Sequence, residues 1–268
     1  MTNPTLWNQL LVWPIINLLV AFYKAFESLH VPGALGFAVV ALTILIRLIL
    51  YPLMAAQMKS AKKMAAIKPH LDALNAKHKD DKKALQQAQL DLYKAHGVNP
   101  AAGCLPLLIQ LPVLIALYNV FYQVLQNGNL SKLVTDINAI LYVPALRLTA
   151  LDLSFFGTSL GVKPSQWQTH GMWLLFIPLV TAALQWWQSK LMLPPSVKAP
   201  EGKAMTLKDK KEEKSPEDTA AEMQKQMALI TPLMFGMFAY QFPLGLALYW
   251  NVFGLFGIMQ QLIINKEK

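Results

Sequence analysis

The sequence predicts an all-α polytopic membrane protein, with five transmembrane helices, a cytoplasmic helical hairpin and an N-terminal interfacial helix. Hydrophobic residues make up 54% of the 268-residue chain and charged residues only 15%, where a soluble chain carries about 25% charged. The charges are also segregated. Between Glu27 and Lys59, Lys94 and Lys132, Lys163 and Lys190, and Lys225 and Lys266, the only formal charge is Arg47. Each gap holds at least one helix of about 20 residues, the length that crosses a hydrocarbon core. Period-two alternation of the barrel kind is absent, which leaves helices as the spanning element.

Residues 6–28 are apolar but interrupted by Asn8, Gln9, Asn17 and Lys24 and studded with Trp7, Trp13 and Tyr23. That composition predicts a helix lying at the interface, with a sixth span as the alternative. The first span covers residues 35–56. Residues 57–98 form a helical hairpin: Ile67, Leu71 and Leu74 recur at i, i+4 and i+7, Leu85 and Leu92 make the matching seam, and Gly97 is a C-terminal cap. The second span is 103–125, an outer loop occupies 126–170, and the third span is 171–193. A linker rich in proline and charge, 194–226, has a disordered composition. The last charge-free gap is too long for one helix, and Pro243 with Gly245 divides it into spans at 227–242 and 244–264, followed by a tail at 265–268.

Lysines set the orientation. Residues 57–102 carry nine lysines and 194–226 carry seven, whereas 127–170 has only Lys132, Arg147 and Lys163. The lysine-rich segments are expected in the cytoplasm, with the N-terminus outside and the C-terminus inside. No basic n-region marks a cleavable signal at the N-terminus. The net charge of +9 therefore belongs to the cytoplasmic face, beside anionic lipid or nucleic acid. One cysteine, Cys104, excludes a disulfide within the chain and a CxxC metal site.

Arg47 is the residue of interest. A charge at the centre of a bilayer is unfavourable by about 2.5–3.5 kcal/mol even on the insertion scale. Either its side chain snorkels to the near interface, or it faces a wet cavity and receives something negative. Thr43, Arg47 and Tyr51 recur at i and i+4, giving the first span a polar face. Gln110 and Asn119 are the uncharged polar residues deep in the second span, and the last span carries Tyr249, Trp250, Asn251, Gln260 and Gln261. No phosphate-binding loop, metal-binding helix or catalytic triad pattern occurs. The spans also lack buried acids or histidines of the kind that relay protons in coupled transporters. A membrane chain with one buried cation and no buried acid is poorly equipped to catalyse or to couple, and a small-anion transporter or channel that uses Arg47 as its binding residue is one function class such a cation allows.

The stretches LTILIRLILYPL, KHKDDKKALQQAQLDLYKAHGVNP, GCLPLLIQLPVLIALY and FPLGLALYWNVFGLFGIMQQ, in this order, resemble the YidC family of membrane protein insertases and its mitochondrial Oxa and chloroplast Albino relatives. The resemblance implies a five-span core around a hydrophilic groove that is open to cytoplasm and lipid and closed outside. It implies that Arg47 receives acidic segments of incoming proteins, with Thr43, Gln110, Tyr249 and Trp250 as further groove residues. Where family members often carry an asparagine four residues after the aromatic pair, this chain has Gly254, and Asn251 one turn earlier is the residue carried over. The implied partners are nascent membrane proteins, the lipid bilayer, the ribosome and the Sec translocon. No enzyme activity, cofactor, small-molecule substrate or specific nucleic-acid sequence is implied. The large outer domain of some relatives has no counterpart in these residues, and the expected location is a bacterial plasma membrane.

Overall fold

The computed structural model describes residues 2–78, 81–98, 105–127, 130–192 and 230–266. The linker at 194–226, Cys104 and the side chain of Gln110 lie outside the described residues. The chain opens with a π-helical turn, Asn8–Val12, that runs into α1 (Trp13–Ser28). Pro14, in the first turn of α1, has no N–H to give to the preceding turn, and the helix widens just before it. Helix α1 buries Ile16, Leu19, Val20 and Tyr23 on one stripe and packs against α2 (Ala34–Ile49), which buries Leu35, Ala38, Val39 and Leu42 at matching spacing.

A span running unbroken from 35 to 56 is not what the structure shows. Helix α2 ends at Ile49, and α3 (Tyr51–Lys77) sets off at an angle of 62° to it. Pro52 is the cause: it lacks the N–H that would continue the ladder, and its ring clashes with the preceding turn. Tyr51 therefore starts the next helix and does not continue the stripe of Thr43 and Arg47. Helix α3 folds back on α4 (Lys82–Ala95) around Ile67, Asn75 and Leu85, all buried. Asp81 caps α4, its Oδ1 accepting from the N–H groups of Lys83 and Ala84 at 3.1 and 3.0 Å. At the other end Gly97 is left-handed (φ 59°), and the N–H groups of Gly97 and Val98 donate to the carbonyls of Lys94 and Tyr93. That is a Schellman closure, which stops the helix where only glycine turns easily.

The remaining helices are α5 (Leu105–Asn127), α6 (Leu130–Asn138), α7 (Trp167–His170), α8 (Phe176–Met192), α9 (described over 230–241) and α10 (Leu244–Lys266). Helix α10 packs against α2, α5 and α8. The segment between α6 and α8 includes a two-stranded ribbon, β1 (Ser154–Phe155) and β2 (Thr158–Ser159), and folds into a cap over one end of the bundle. Its Leu148, Leu151, Leu153 and Leu160 are buried with the core. Polar groups pin the cap to α1 along that helix's length. Asn17 Nδ2 donates to the carbonyls of Trp13 and Ile140, both at 2.9 Å, and its Oδ1 accepts from the Tyr142 N–H at 2.8 Å. The Tyr142 hydroxyl donates to the Gln9 carbonyl, and the Asp152 N–H donates to the Tyr23 hydroxyl.

The cap also starts α10. A helix leaves its first N–H groups without partners, and here Leu244 and Gly245 donate to the cap carbonyls of Val162 and Leu160 at 2.8 and 2.9 Å. Gly245 allows α5 to approach closely, since a Cβ there would stand 2.2 Å from the Phe121 ring. At the opposite end, Lys62 of α3 donates to the Ile264 carbonyl of α10 at 2.8 Å. Among the described residues, Asn8–Ser28 and Leu244–Lys266 are each long and apolar enough to cross a membrane, and α2 with the start of α3 would make a bent third.

Two stability predictions follow from these pins. Asn17→Leu leaves the buried Ile140 carbonyl and the part-buried Tyr142 N–H without their partners, a loss of about 1–3 kcal/mol for the first and less for the second. The thermal midpoint in detergent should fall by about 5 °C or more, and an unchanged midpoint would show that the cap does not depend on this residue. Lys62→Met should speed amide exchange in the last turn of α10 by about fivefold, the effect of losing roughly 1 kcal/mol, and leave its first turn unchanged.

Candidate functional site

A guanidinium presents five N–H donors and no acceptor, so a buried arginine needs oxygens around it. Arg47 lies in the last turn of α2 and is 3% exposed. Its oxygens come from α10. Nη1 donates to Gln260 Oε1 at 2.9 Å, Nη2 donates to the Phe253 carbonyl, and Cζ stands 3.5 Å from the centre of the Phe253 ring. The ring face carries negative quadrupole density and stabilises a desolvated cation. Nε has no partner among the described residues. Gly257 makes the close approach possible: a Cβ there would lie 2.8 Å from Arg47 Nη2 and 2.5 Å from Gln188 Nε2. Gln188 of α8 is thus a third wall of the site. No carboxylate is paired with Arg47 among the described residues.

The residues expected around Arg47 are only partly brought to it. Thr43 is fully buried one turn away, but its hydroxyl donates to the Val39 carbonyl of its own helix at 2.6 Å. Tyr249 is fully buried, with its ring 5.8 Å from that of Phe253. Trp250 turns to α9 and packs among Phe235, Phe238 and Phe242 at 5.5, 6.2 and 5.8 Å, a core position and not a wall of the arginine site. Asn251 is half-buried, and its Oδ1 has no partner among the described residues. Gln110 is on α5, and its side chain is outside the described residues.

Phe253, Gly257, Gln260 and Gln188 are the neighbours that motif matching did not assign. Depth along the helix would have found most of them. At 1.5 Å per residue, Arg47 lies about 20 Å from the start of α2. Helices α2 and α10 pack together, and Phe253 and Gln260 lie about 14 and 24 Å from the start of α10, bracketing that level. Tyr249 and Trp250 lie only about 8–9 Å along it.

Beyond Gln260 the polar track continues toward the hairpin. Gln57 and Gln261 are buried, and Gln57 Nε2 and Gln261 Oε1 have no partner among the described residues. Gln261 Nε2 donates to Asn265 Oδ1 at 3.1 Å. Among the described residues, no group of three or more His, Cys, Asp or Glu could hold a metal. What the arrangement offers chemically is a cation whose partners among the described residues are neutral, so that its charge is left for an anion.

The family model of the 60Kd inner membrane protein matches residues 25–268. The YidC membrane protein insertase of Oceanobacillus iheyensis is 30% identical over 265 residues, covering 97% of this chain and 84% of the relative. The chloroplastic inner membrane ALBINO3-like protein 1 of Chlamydomonas reinhardtii is 31% identical over 244 residues, 87% of this chain but 44% of that protein. The chain thus spans less than half the length of some relatives that it matches. A crystal structure of an active YidC insertase with its first transmembrane domain resolved superposes over 98% of this chain and 47% of its own, at a TM-score of 0.50 and 24% identity, which is a likeness of fold. From the match across residues 25–268 and these relatives, the chain belongs to the 60Kd inner membrane protein family, to which the YidC insertases are its relatives.

Proposed function

We propose that this protein is a membrane protein insertase, which receives hydrophilic segments of nascent membrane proteins at Arg47 and releases their apolar helices sideways into lipid. The observation that carries the reading is a buried cation whose partners among the described residues are all neutral, at the head of a polar track leading to the hairpin end of the bundle. An acidic segment entering along the track gains attraction at Arg47, because charges interact more strongly in a medium of lower dielectric than in water. The apolar helix behind it then gains about 25 cal/mol for each Å² of surface that leaves water. Insertion of this kind needs no nucleotide. The names of the relatives support the same activity.

In this reading the hairpin end is cytoplasmic and the cap end faces outward. The hairpin's lysines, Lys59, Lys62, Lys63, Lys77, Lys83 and Lys94 among them, make it a surface for anionic neighbours such as lipid headgroups or ribosomal RNA. The cap closes the outer end. Because cap residues bond the π-helical turn at Gln9 and α1 at Asn17 and Tyr23, we place α1 along the outer interface, beside the cap, with α2 as the first of five spans. The pins at Asn17 explain why an asparagine is tolerated in the middle of so apolar a helix.

The test is insertion of a small single-span substrate with an acidic tail into proteoliposomes. Arg47→Ala should reduce insertion by about tenfold or more, since a hydrogen bond to a charged group contributes about 1.5–3 kcal/mol. Arg47→Lys should retain most of it. Equal insertion by all three proteins would remove Arg47 from the mechanism. Saturable anion flux without insertion, in protein shown to be folded, would replace the reading with a transporter.

A further inference from the structure

We propose that Gln260 is the residue that makes the Arg47 site selective for carboxylates over neutral polar segments. The inference rests on the reading of Arg47 as a receiving site. Its basis is the division of labour around the guanidinium. Gln260 Oε1 accepts from Nη1 and the Phe253 carbonyl from Nη2, the Phe253 ring covers Cζ at 3.5 Å, and of the three nitrogens only Nε has no partner among the described residues, in a side chain that is 3% exposed.

A passing serine, glutamine or peptide carbonyl offers an oxygen of the same kind as the one Gln260 already supplies. Exchanging one neutral oxygen for another gains nothing, and at the vacant Nε–H a neutral oxygen gains a single hydrogen bond. A carboxylate differs in two respects. It adds the attraction of a full negative charge to the hydrogen bonds that any oxygen can accept from the guanidinium, and it can bind two donors at once, using the vacant Nε–H together with a neighbouring N–H. The amide of Gln260 therefore holds one donor against neutral competitors while leaving the charge uncompensated. A glutamate at the same place would neutralise the cation from within the bundle and close the site.

Gly257 strengthens the case that the amide is part of a built arrangement. Its missing Cβ lets the guanidinium lie against α10, between Gln260 and Phe253, with Gln188 Nε2 on the far side. The Phe253 carbonyl belongs to the backbone of α10 and is fixed, whereas Gln260 presents its oxygen on a rotatable side chain. Of the two oxygens, the one that sets the neutral background and can yield is that of Gln260.

The experiment compares two substrates in proteoliposomes: a single-span protein whose short tail carries two aspartates, and the same protein with both replaced by asparagine. The unaltered insertase, Gln260→Glu, Gln260→Met and Arg47→Ala are assayed side by side, with thermal unfolding of each as a check of folding. Gln260→Glu should lower insertion of the aspartate substrate by about tenfold and leave the asparagine substrate within about twofold. Gln260→Met, which vacates Nη1, should keep the aspartate substrate within about threefold and raise the asparagine substrate by at least that factor. The acidic-to-neutral ratio thus falls in both variants, by opposite routes. Equal losses on both substrates in the two variants, or wild-type ratios in both, would overturn the role given to Gln260. Should Gln260→Glu not fold, the ratio measured with Gln260→Met decides alone. Full insertion of the aspartate substrate by Arg47→Ala would instead overturn the receiving role of Arg47, whereas its loss there beside wild-type ratios in the Gln260 variants would defeat only the present inference.

Discussion

The desolvation of Arg47 is the constraint on which the arrangement of this bundle depends. A guanidinium held inside an apolar bundle is tolerated only if something replaces its water. Here the replacement comes from one helix, and it is neutral throughout: a side-chain amide, a backbone carbonyl and an aromatic face. An internal acid would have satisfied the donors better, but it would have cancelled the charge. The spans carry no acid, so the polar residues near Arg47 are glutamines, with a glycine where the guanidinium needs room.

The two ends of the bundle serve this core differently. The end that carries the cap is dry and well bonded: leucines of the cap enter the core, Asn17 is fully satisfied, and cap carbonyls accept the first N–H groups of α10. The end that carries the hairpin is polar and loosely satisfied, with Gln57, Gln261 and Arg47 each keeping a buried polar atom without a partner among the described residues. Such groups are unfavourable in a dry interior and tolerable beside water or an incoming polar chain. The polarity of the molecule is thus built into its hydrogen bonding as well as its lysines.

The membrane class was legible because it rests on long-range arithmetic of composition: charge-free gaps of helix length survive any local error. The end of the hairpin at Gly97 was legible because a cap is local chemistry. The bend at Leu50 was readable in principle from Pro52, but a continuous apolar run masks a proline that interrupts it. The walls of the arginine site were the least legible. Motif resemblance pointed to Trp250, a conspicuous aromatic that packs against α9, whereas the groups seen against Arg47 include an unremarkable phenylalanine, a glutamine and a missing Cβ. A backbone carbonyl and a Cβ that is not there leave no trace in residue type. Only helix register and depth reveal them.

The manner in which α10 is held has a mechanical consequence. Its first turn is fastened twice to the cap and wedged against Phe121, while its last turn is tied to the rest of the bundle through the lone ammonium of Lys62 among the described hydrogen bonds. The two fastenings differ in kind, backbone to backbone at the first turn and side chain to backbone at the last. Gln260 belongs to the half held through side chains and Leu244 to the half held through the main chain, so the guanidinium's partner can change rotamer without breaking a bond of the sealed end.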